Sequence, residues 1–204
     1  MSDSTLEYYS RNAVSFAEAT FAVNMQPLYD EFLPAIPKGG TILDAGCGSG
    51  RDALAFKNLG YRVDAFDACA ELANIASFHL EQPVGCFSFD ELRATNIFDA
   101  IWCCASLLHV PMAQLPDVFQ RLQNALKPDG IIYISFKYGE GERTADGRAF
   151  TDLTEQSLNT LLAQNTGLKT CKTWQTGDQR PGREHERWLN ALLMLTDEKR
   201  VGGE

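Results

Sequence analysis

Apolar residues in this chain come in blocks of two kinds, and the two kinds alternate along its length. Apolar-rich blocks at 42–43, 61–67, 83–89, 98–105 and 131–136 predict strands, and the near-continuous run at 98–105 suits a buried parallel position. Between them apolar residues recur at helical spacing: Ala53, Leu54 and Phe56; Leu72, Ile75 and Phe78; Val118, Phe119, Leu122, Ala125 and Leu126. Ahead of the first strand, residues 6–33 predict helix. Val14, Ala17 and Phe21 share one face, Asn24 and Pro27 break the pattern, and Leu28, Tyr29, Phe32 and Leu33 form a second face. Downstream, 137–150 is polar and predicts a loop. A helix over 154–162 starts at Thr154 as N-cap, strands follow at 168–174 and 188–195, and the polar tail from Asp197 is expected to fray. Strands alternating with helices predict a doubly wound α/β fold, a mostly parallel sheet with helices on both faces.

One stretch carries chemistry. After the strand at 42–43 come Asp44, then Gly46, Cys47, Gly48, Ser49, Gly50 and Arg51, then a helix that Gly60 can end. A strand, a glycine loop and a helix make a nucleotide cradle, because glycine admits close backbone approach and a helix start offers free N–H groups. The dinucleotide fingerprint fits poorly, since its third glycine would fall at Arg51. Asp67 ends the next strand about 20 residues past the first glycine, the spacing at which a carboxylate reaches ribose hydroxyls. Asp67 is equally placed to cap the following helix.

The pattern Asp-x-Gly-x-Gly-x-Gly over 44–50, with Asp67, the loop after Cys104, and Leu-Lys-Pro-Asp-Gly at 126–130 before a strand, resembles class I S-adenosylmethionine-dependent methyltransferases over about residues 6–195. The phrases Gly-Ser-Gly-Arg-Asp-Ala and Leu-Gly-Tyr-Arg-Val-Asp-Ala-Phe-Asp are similar to the tellurite-resistance branch of that family. The resemblance implies a Rossmann-like seven-stranded sheet with an antiparallel last strand. It also implies one domain over 1–204, with a helical lid at about 6–37 and a core at about 40–195. S-adenosyl-L-methionine is the implied cofactor and S-adenosyl-L-homocysteine the product. By the same resemblance Gly46, Cys47, Gly48, Gly50 and Arg51 face the methionyl part, Asp67 and Ala68 the ribose, Ser88 and Phe89 the adenine, and Ala105 the reaction centre. Tyr9 and Arg11, with Tyr8, are the expected lid contacts. His109 stands where the family meets the transferable methyl, as substrate contact, general base or loop-structuring residue. Lys137, Tyr138 and Arg148 are expected at the substrate, and Lys137, Arg143 and Arg148 as an anion-attracting rim.

Composition narrows the partners. A net charge of −9 disfavours broad nucleic-acid or acidic-membrane binding, although Arg180, Arg183 and Arg187 form a local basic group. At 45% apolar and 22% charged, the chain reads as a globular protein without a membrane span or signal peptide, which points to the cytoplasm. The six cysteines show no C-x-x-C pair and are expected mostly in the core, and no metal-ligand spacing appears. The expected acceptor is a small molecule attacked at S, Se or Te, at O, or at N. The alternatives are a macromolecular acceptor, other chemistry on the same cofactor, or a non-catalytic cofactor-binding regulator. Oligomeric state is left open.

Overall fold

The computed structural model describes residues 1–164 and 167–201, the side chains of 200 and 201 excepted. Seven strands form one sheet in the order β3-β2-β1-β4-β5-β9-β8. They are β1 (Thr41–Ala45), β2 (Arg62–Asp67), β3 (Gly85–Cys86), β4 (Phe98–Cys103), β5 (Leu126–Lys137), β8 (Leu168–Gly177) and β9 (Arg187–Leu195). The five strands from β3 to β5 pair in parallel, and β9 runs antiparallel to both β5 and β8. The expected sheet, with its antiparallel last strand, is therefore the observed one.

Alternation along the strands sends neighbouring residues to opposite faces. Ile42, Trp102 and Tyr133 join Phe32 and Phe56 on one face, where the Trp102 and Tyr133 rings stack with centroids 3.9 Å apart. Leu43, Ile101, Ile132 and Ile134 join Phe119, Leu122 and Leu158 on the other. Helices α2 (Gln26–Phe32) and α3 (Arg51–Asn58) cover the first face, and α5 (Leu115–Ala125) and α6 (Glu155–Leu162) the second. Thr154 caps α6 as expected, accepting from the Ser157 N–H. The strand order reverses between β1 and β4, so the crevice for a ligand opens at their carboxyl ends.

Several expectations are corrected. The helical segment before the sheet is two helices, α1 (Asp3–Phe21) and α2, parted at the break expected at Asn24 and Pro27, and α2 packs into the core. The inward face of α1 is Thr5, Tyr9, Ala13 and Ala17, and Val14 is exposed. Small alanines let α1 lie close on α4 (Ala70–Leu80), which a Val14 face would prevent. On α4 the buried residues are Leu72, Ala73, Ala76 and Leu80, and Phe78 points outward. The strand expected at 83–89 shrinks to Gly85–Cys86, and Phe89 starts a 3-10 turn closed by a Ser88–Glu91 capping box.

The polar stretch after β5 is not a loop. It folds as the hairpin β6 (Gly141–Ala145) and β7 (Arg148–Asp152), with Asp146 and Gly147 both at positive φ between them. That is the type I′ turn that Asp-Gly favours. Residues Asp197–Val201 form a short helix, α7, and the rest of the polar tail lies outside the described residues. Cys69 and Cys103 are buried, but Cys86 and Cys171 are exposed. No described helix is long and apolar enough to cross a membrane.

Candidate active site

The glycine loop is shaped by close approach. Gly46 has φ +76°, and a Cβ there would stand 2.5 Å from the Ser106 Cβ. That contact lets Ser106, just past β4, donate to the Ala45 carbonyl at 2.7 Å and tie the two strand ends together. The neighbouring Ala105 holds φ +52°, costly for a residue with a Cβ, and its N–H donates to the Ser135 Oγ at 2.8 Å.

Three carboxylates surround this loop. Asp44 accepts from the Ala53 N–H at 3.0 Å and so caps the start of α3. Burial, and the nearby Asp52 after it, push the Asp44 carboxyl well above the usual carboxylate range. Asp52 accepts from the Arg51 guanidinium at 2.7 and 2.9 Å, the Tyr29 hydroxyl at 2.5 Å and the Trp102 Nε1 at 2.8 Å. Burial acts to raise Asp52 as well, but the Arg51 charge and these donors outweigh it and hold the carboxyl below its ordinary value. Asp67 accepts from the Gly48 N–H and the Cys69 N–H, each at 2.8 Å. Burial raises its carboxyl, and the N–H groups of Cys69, Gly48 and Ala68 oppose that shift. Asp67 thus pins the glycine loop and the start of α4 together, and its remaining lone pairs can still accept from a ligand.

A cavity of about 1260 Å³ opens over these residues. It exceeds the roughly 300–1,000 Å³ of ordinary small-molecule sites, so it has room for two ligands side by side. Gly46, Cys47, Gly48, Arg51, Asp67, Ala68, Ser88, Phe89 and Ala105 line one part, and Lys137, Tyr138 and Arg148 line the part beneath the β6–β7 hairpin. Gly50 is absent from the lining: it turns away at φ +81° to start α3 against Ala76. The Arg51 side chain is committed to Asp52. Arg11 lies on the exposed face of α1, paired with Glu7, and does not reach the cavity.

Tyr9 and His109 do meet there. The His109 Nδ1 lies 2.8 Å from the Ala149 carbonyl, which can only accept, so Nδ1 carries the proton. The Nε2 then accepts from the Tyr9 hydroxyl at 2.9 Å. The Ala149 N–H in turn donates to the Thr5 Oγ at 2.9 Å. Helix α1 is thereby fastened to the start of β7 through both backbone groups of Ala149. Burial, opposed by the Ala149 hydrogen bond and reinforced by the Arg148 charge, pushes the His109 pKa down to about 4. Neutral, with its lone pair engaged, His109 is a poor proton acceptor in this state.

Two cations of the expected rim are already balanced. Lys137 pairs with Asp178 at 3.4 Å and with Glu186, and Arg143 pairs with Asp152 at 2.5 Å. The Asp178 and Glu186 partners come from the connection between β8 and β9, which also carries Arg180 and Arg183 of the local basic group. The end of β8 and residues 178–180 of that connection also line the cavity. The network of Trp102, Tyr29 and Asp52 was not legible in the sequence, because nothing in their spacing announces it. The Asp-Gly turn at 146–147 was a legible hairpin signal. Among the described residues, no three His, Cys, Asp or Glu side chains cluster as metal ligands.

Comparison with known proteins agrees with this architecture. A family described as "Methyltransferase domain" matches residues 16–172. The chain is 29% identical over 117 residues to the Bacillus subtilis (strain 168) protein YqeM, covering 52% of this chain and 47% of that one. It is 26% identical over 104 residues to the ubiquinone biosynthesis O-methyltransferase of Paraburkholderia xenovorans, covering 48% and 44%. The chain thus spans under half the length of these curated relatives. Among solved structures, the Burkholderia thailandensis 1,6-didemethyltoxoflavin-N1-methyltransferase, bound to 1,6-didemethyltoxoflavin and S-adenosylhomocysteine, superposes with a TM-score of 0.73. It is 23% identical, with 95% of this chain and 91% of that one covered.

Proposed function

This chain belongs to the methyltransferase domain family, and from that premise we propose that it methylates a small molecule using S-adenosyl-L-methionine. The observation that carries the reading is the carboxyl-lined cradle. Asp44, Asp52 and Asp67 surround a glycine loop that approaches closely. A dinucleotide would bring a pyrophosphate to the start of α3, where the Asp44 carboxyl already takes the Ala53 N–H that a phosphate would use. A cationic cofactor favours the ionised form of Asp44.

S-adenosyl-L-methionine, when bound, supplies a methyl group made electrophilic by a sulfonium. The residues suited to hold it are Asp67, through its free lone pairs toward the ribose, the backbone of residues 46–48, and the pocket of Ser88 and Phe89 for the base. Ala105 and Ser106 close the floor, and Tyr9 on α1 covers the cavity and excludes water. His109 acts by position, keeping α1 seated on β7.

With His109 neutral and engaged, the reading favours an acceptor that brings its own lone pair: a thiolate, a reduced selenium or tellurium species, an ionised oxygen or a neutral nitrogen. The likeness around residues 48–67 to the tellurite-resistance branch keeps metalloid species and thiols in the acceptor screen. The solved relative is named an N1-methyltransferase and a curated relative an O-methyltransferase, so nitrogen and oxygen acceptors join it.

Calorimetric titration of the purified protein with S-adenosylmethionine and with NAD in parallel tests the reading. S-adenosylmethionine is expected to bind and NAD not to. NAD binding in its place would overturn the proposal. Asp67→Ala is expected to weaken S-adenosylmethionine binding by about 1–3 kcal/mol, the scale of hydrogen bonds to a charged group. Unchanged affinity would remove Asp67 from the cofactor site.

A further inference from the structure

Of the three expected rim cations, Lys137 and Arg143 each sit against a carboxylate. Arg180 and Arg183, also at the cavity, pair with Asp178 and Glu186. Arg148 is held differently. It opens β7 with its side chain only 16% exposed, and its nearest carboxylate is Asp146 at 3.6 Å, itself 80% exposed to water. Its guanidinium lies over the Tyr8 ring at 4.4 Å and the Phe150 ring at 5.2 Å. Its buried Nε has no hydrogen-bond partner, alone in this among the described buried side-chain polar atoms.

Such an arrangement is costly without a ligand. A buried donor left unpaired loses its hydration with nothing in return, and a weak pair to a solvated aspartate does not replace it. The aromatic rings favour the cation and fix its plane, and the Tyr9 hydroxyl interacts with the guanidinium, but neither gives Nε an acceptor. What is missing is an anion approaching edge-on, and the group borders the cavity beside Tyr9 and His109.

We propose that Arg148 anchors the methyl acceptor by a carboxylate, which meets the Nε–H and an adjacent Nη–H as a two-pronged pair. A guanidinium edge matches the two oxygens of a carboxylate in geometry. A single guanidinium edge matches a single carboxylate, and a net charge of −9 on the chain disfavours more highly charged ligands. Because Arg148 contacts Tyr8 of α1 and Phe150 of β7, the carboxylate ties the acceptor to the seam where α1 is fastened down. Among the described residues, Arg148 makes no hydrogen bond or ion pair with Asp67 or the glycine loop, and it is assigned to the acceptor and not the cofactor. Only the identity of the ligand as methyl acceptor rests on the methyltransferase reading.

Benzoate, its neutral isostere benzamide and inorganic phosphate are the probes, titrated calorimetrically into the full chain with and without S-adenosylhomocysteine. Benzoate is expected to bind at least about tenfold more tightly than benzamide, the scale of losing charge-assisted hydrogen bonds. Arg148→Gln is expected to weaken benzoate by a similar factor, with S-adenosylhomocysteine affinity as the folding control. Arg148→Lys keeps the charge without the fork and is expected to fall between. In the wild type, the Arg148 Nε–H resonance, assigned by its loss in Arg148→Lys, shifts on adding benzoate and not benzamide. Equal binding of benzoate and benzamide, benzoate binding indifferent to Arg148→Gln, preference for phosphate, or no benzoate binding to the wild type would each overturn the proposal. Failure of S-adenosylhomocysteine to bind would instead strike the methyltransferase reading, and the benzoate result at Arg148 would stand apart from it.

Discussion

Asp52→Asn is expected to destabilise the fold by about 3–5 kcal/mol, the cost of breaking a buried ion pair from one side. Every side chain that hydrogen-bonds to Asp52 is a donor: the Arg51 guanidinium, the Tyr29 hydroxyl and the Trp102 Nε1. A carboxylate accepts from all of them with two oxygens. An asparagine amide has one oxygen and turns an NH₂ toward the remaining donors, leaving Arg51 charged and unbalanced. The loss spreads beyond the site, since Tyr29 packs on Phe56 and Trp102, and Trp102 stacks on Tyr133 in the middle of the sheet. Arg51 also reaches the Thr20 carbonyl near the end of α1, so the loosening extends to the helix over the cavity. Urea unfolding of wild type and variant at neutral pH measures it. A difference under about 1 kcal/mol, the size of an exposed pair, would mean that water already screens the network.

The second large effect is on stability against pH. His109 has a folded pKa near 4, against 6.5 when unfolded. Between those values the unfolded chain binds a proton that the folded chain excludes, so stability rises with pH there. The His109 contribution is complete above about pH 6.5 and lost as pH falls to about 4, reaching about 3 kcal/mol over the window. The cause is burial first, with the Arg148 charge adding to it. Other groups titrate in this range, so the informative quantity is the difference between wild type and His109→Gln. That difference is expected to change steadily from pH 6.5 to pH 4. A difference constant across the window would mean that His109 stays protonated, and its reading as a neutral positioning residue would fall.

A local signal was enough wherever the physics is local. The two alternating periodicities gave the parallel sheet and its helices, because burial on both faces or on one stripe leaves its mark residue by residue. Asp44 and the three glycines marked the cradle because a tight turn against a neighbouring chain admits no side chain, as Gly46 against Ser106 illustrates. Thr154 was readable as a cap for the same reason. The Asp-Gly turn was equally local and was passed over because the residues around it are polar, a reminder that an exposed hairpin need not look like a buried strand.

The tertiary structure decided what depends on the facing partner. Lys137, Arg143 and Arg148 are alike as cations in the chain, and each lies over an aromatic ring, yet only Arg148 keeps a buried Nε without a hydrogen-bond partner. His109 could be a base or a brace until Tyr9, a hundred residues away, was seen to occupy its lone pair. Arg51 filled a missing glycine position in the motif, and folding turned it inward onto Asp52. Charge and lone pairs belong to the residue. Whether they are free to act depends on what the fold brings within about 3 Å, and that distance has no counterpart along the sequence.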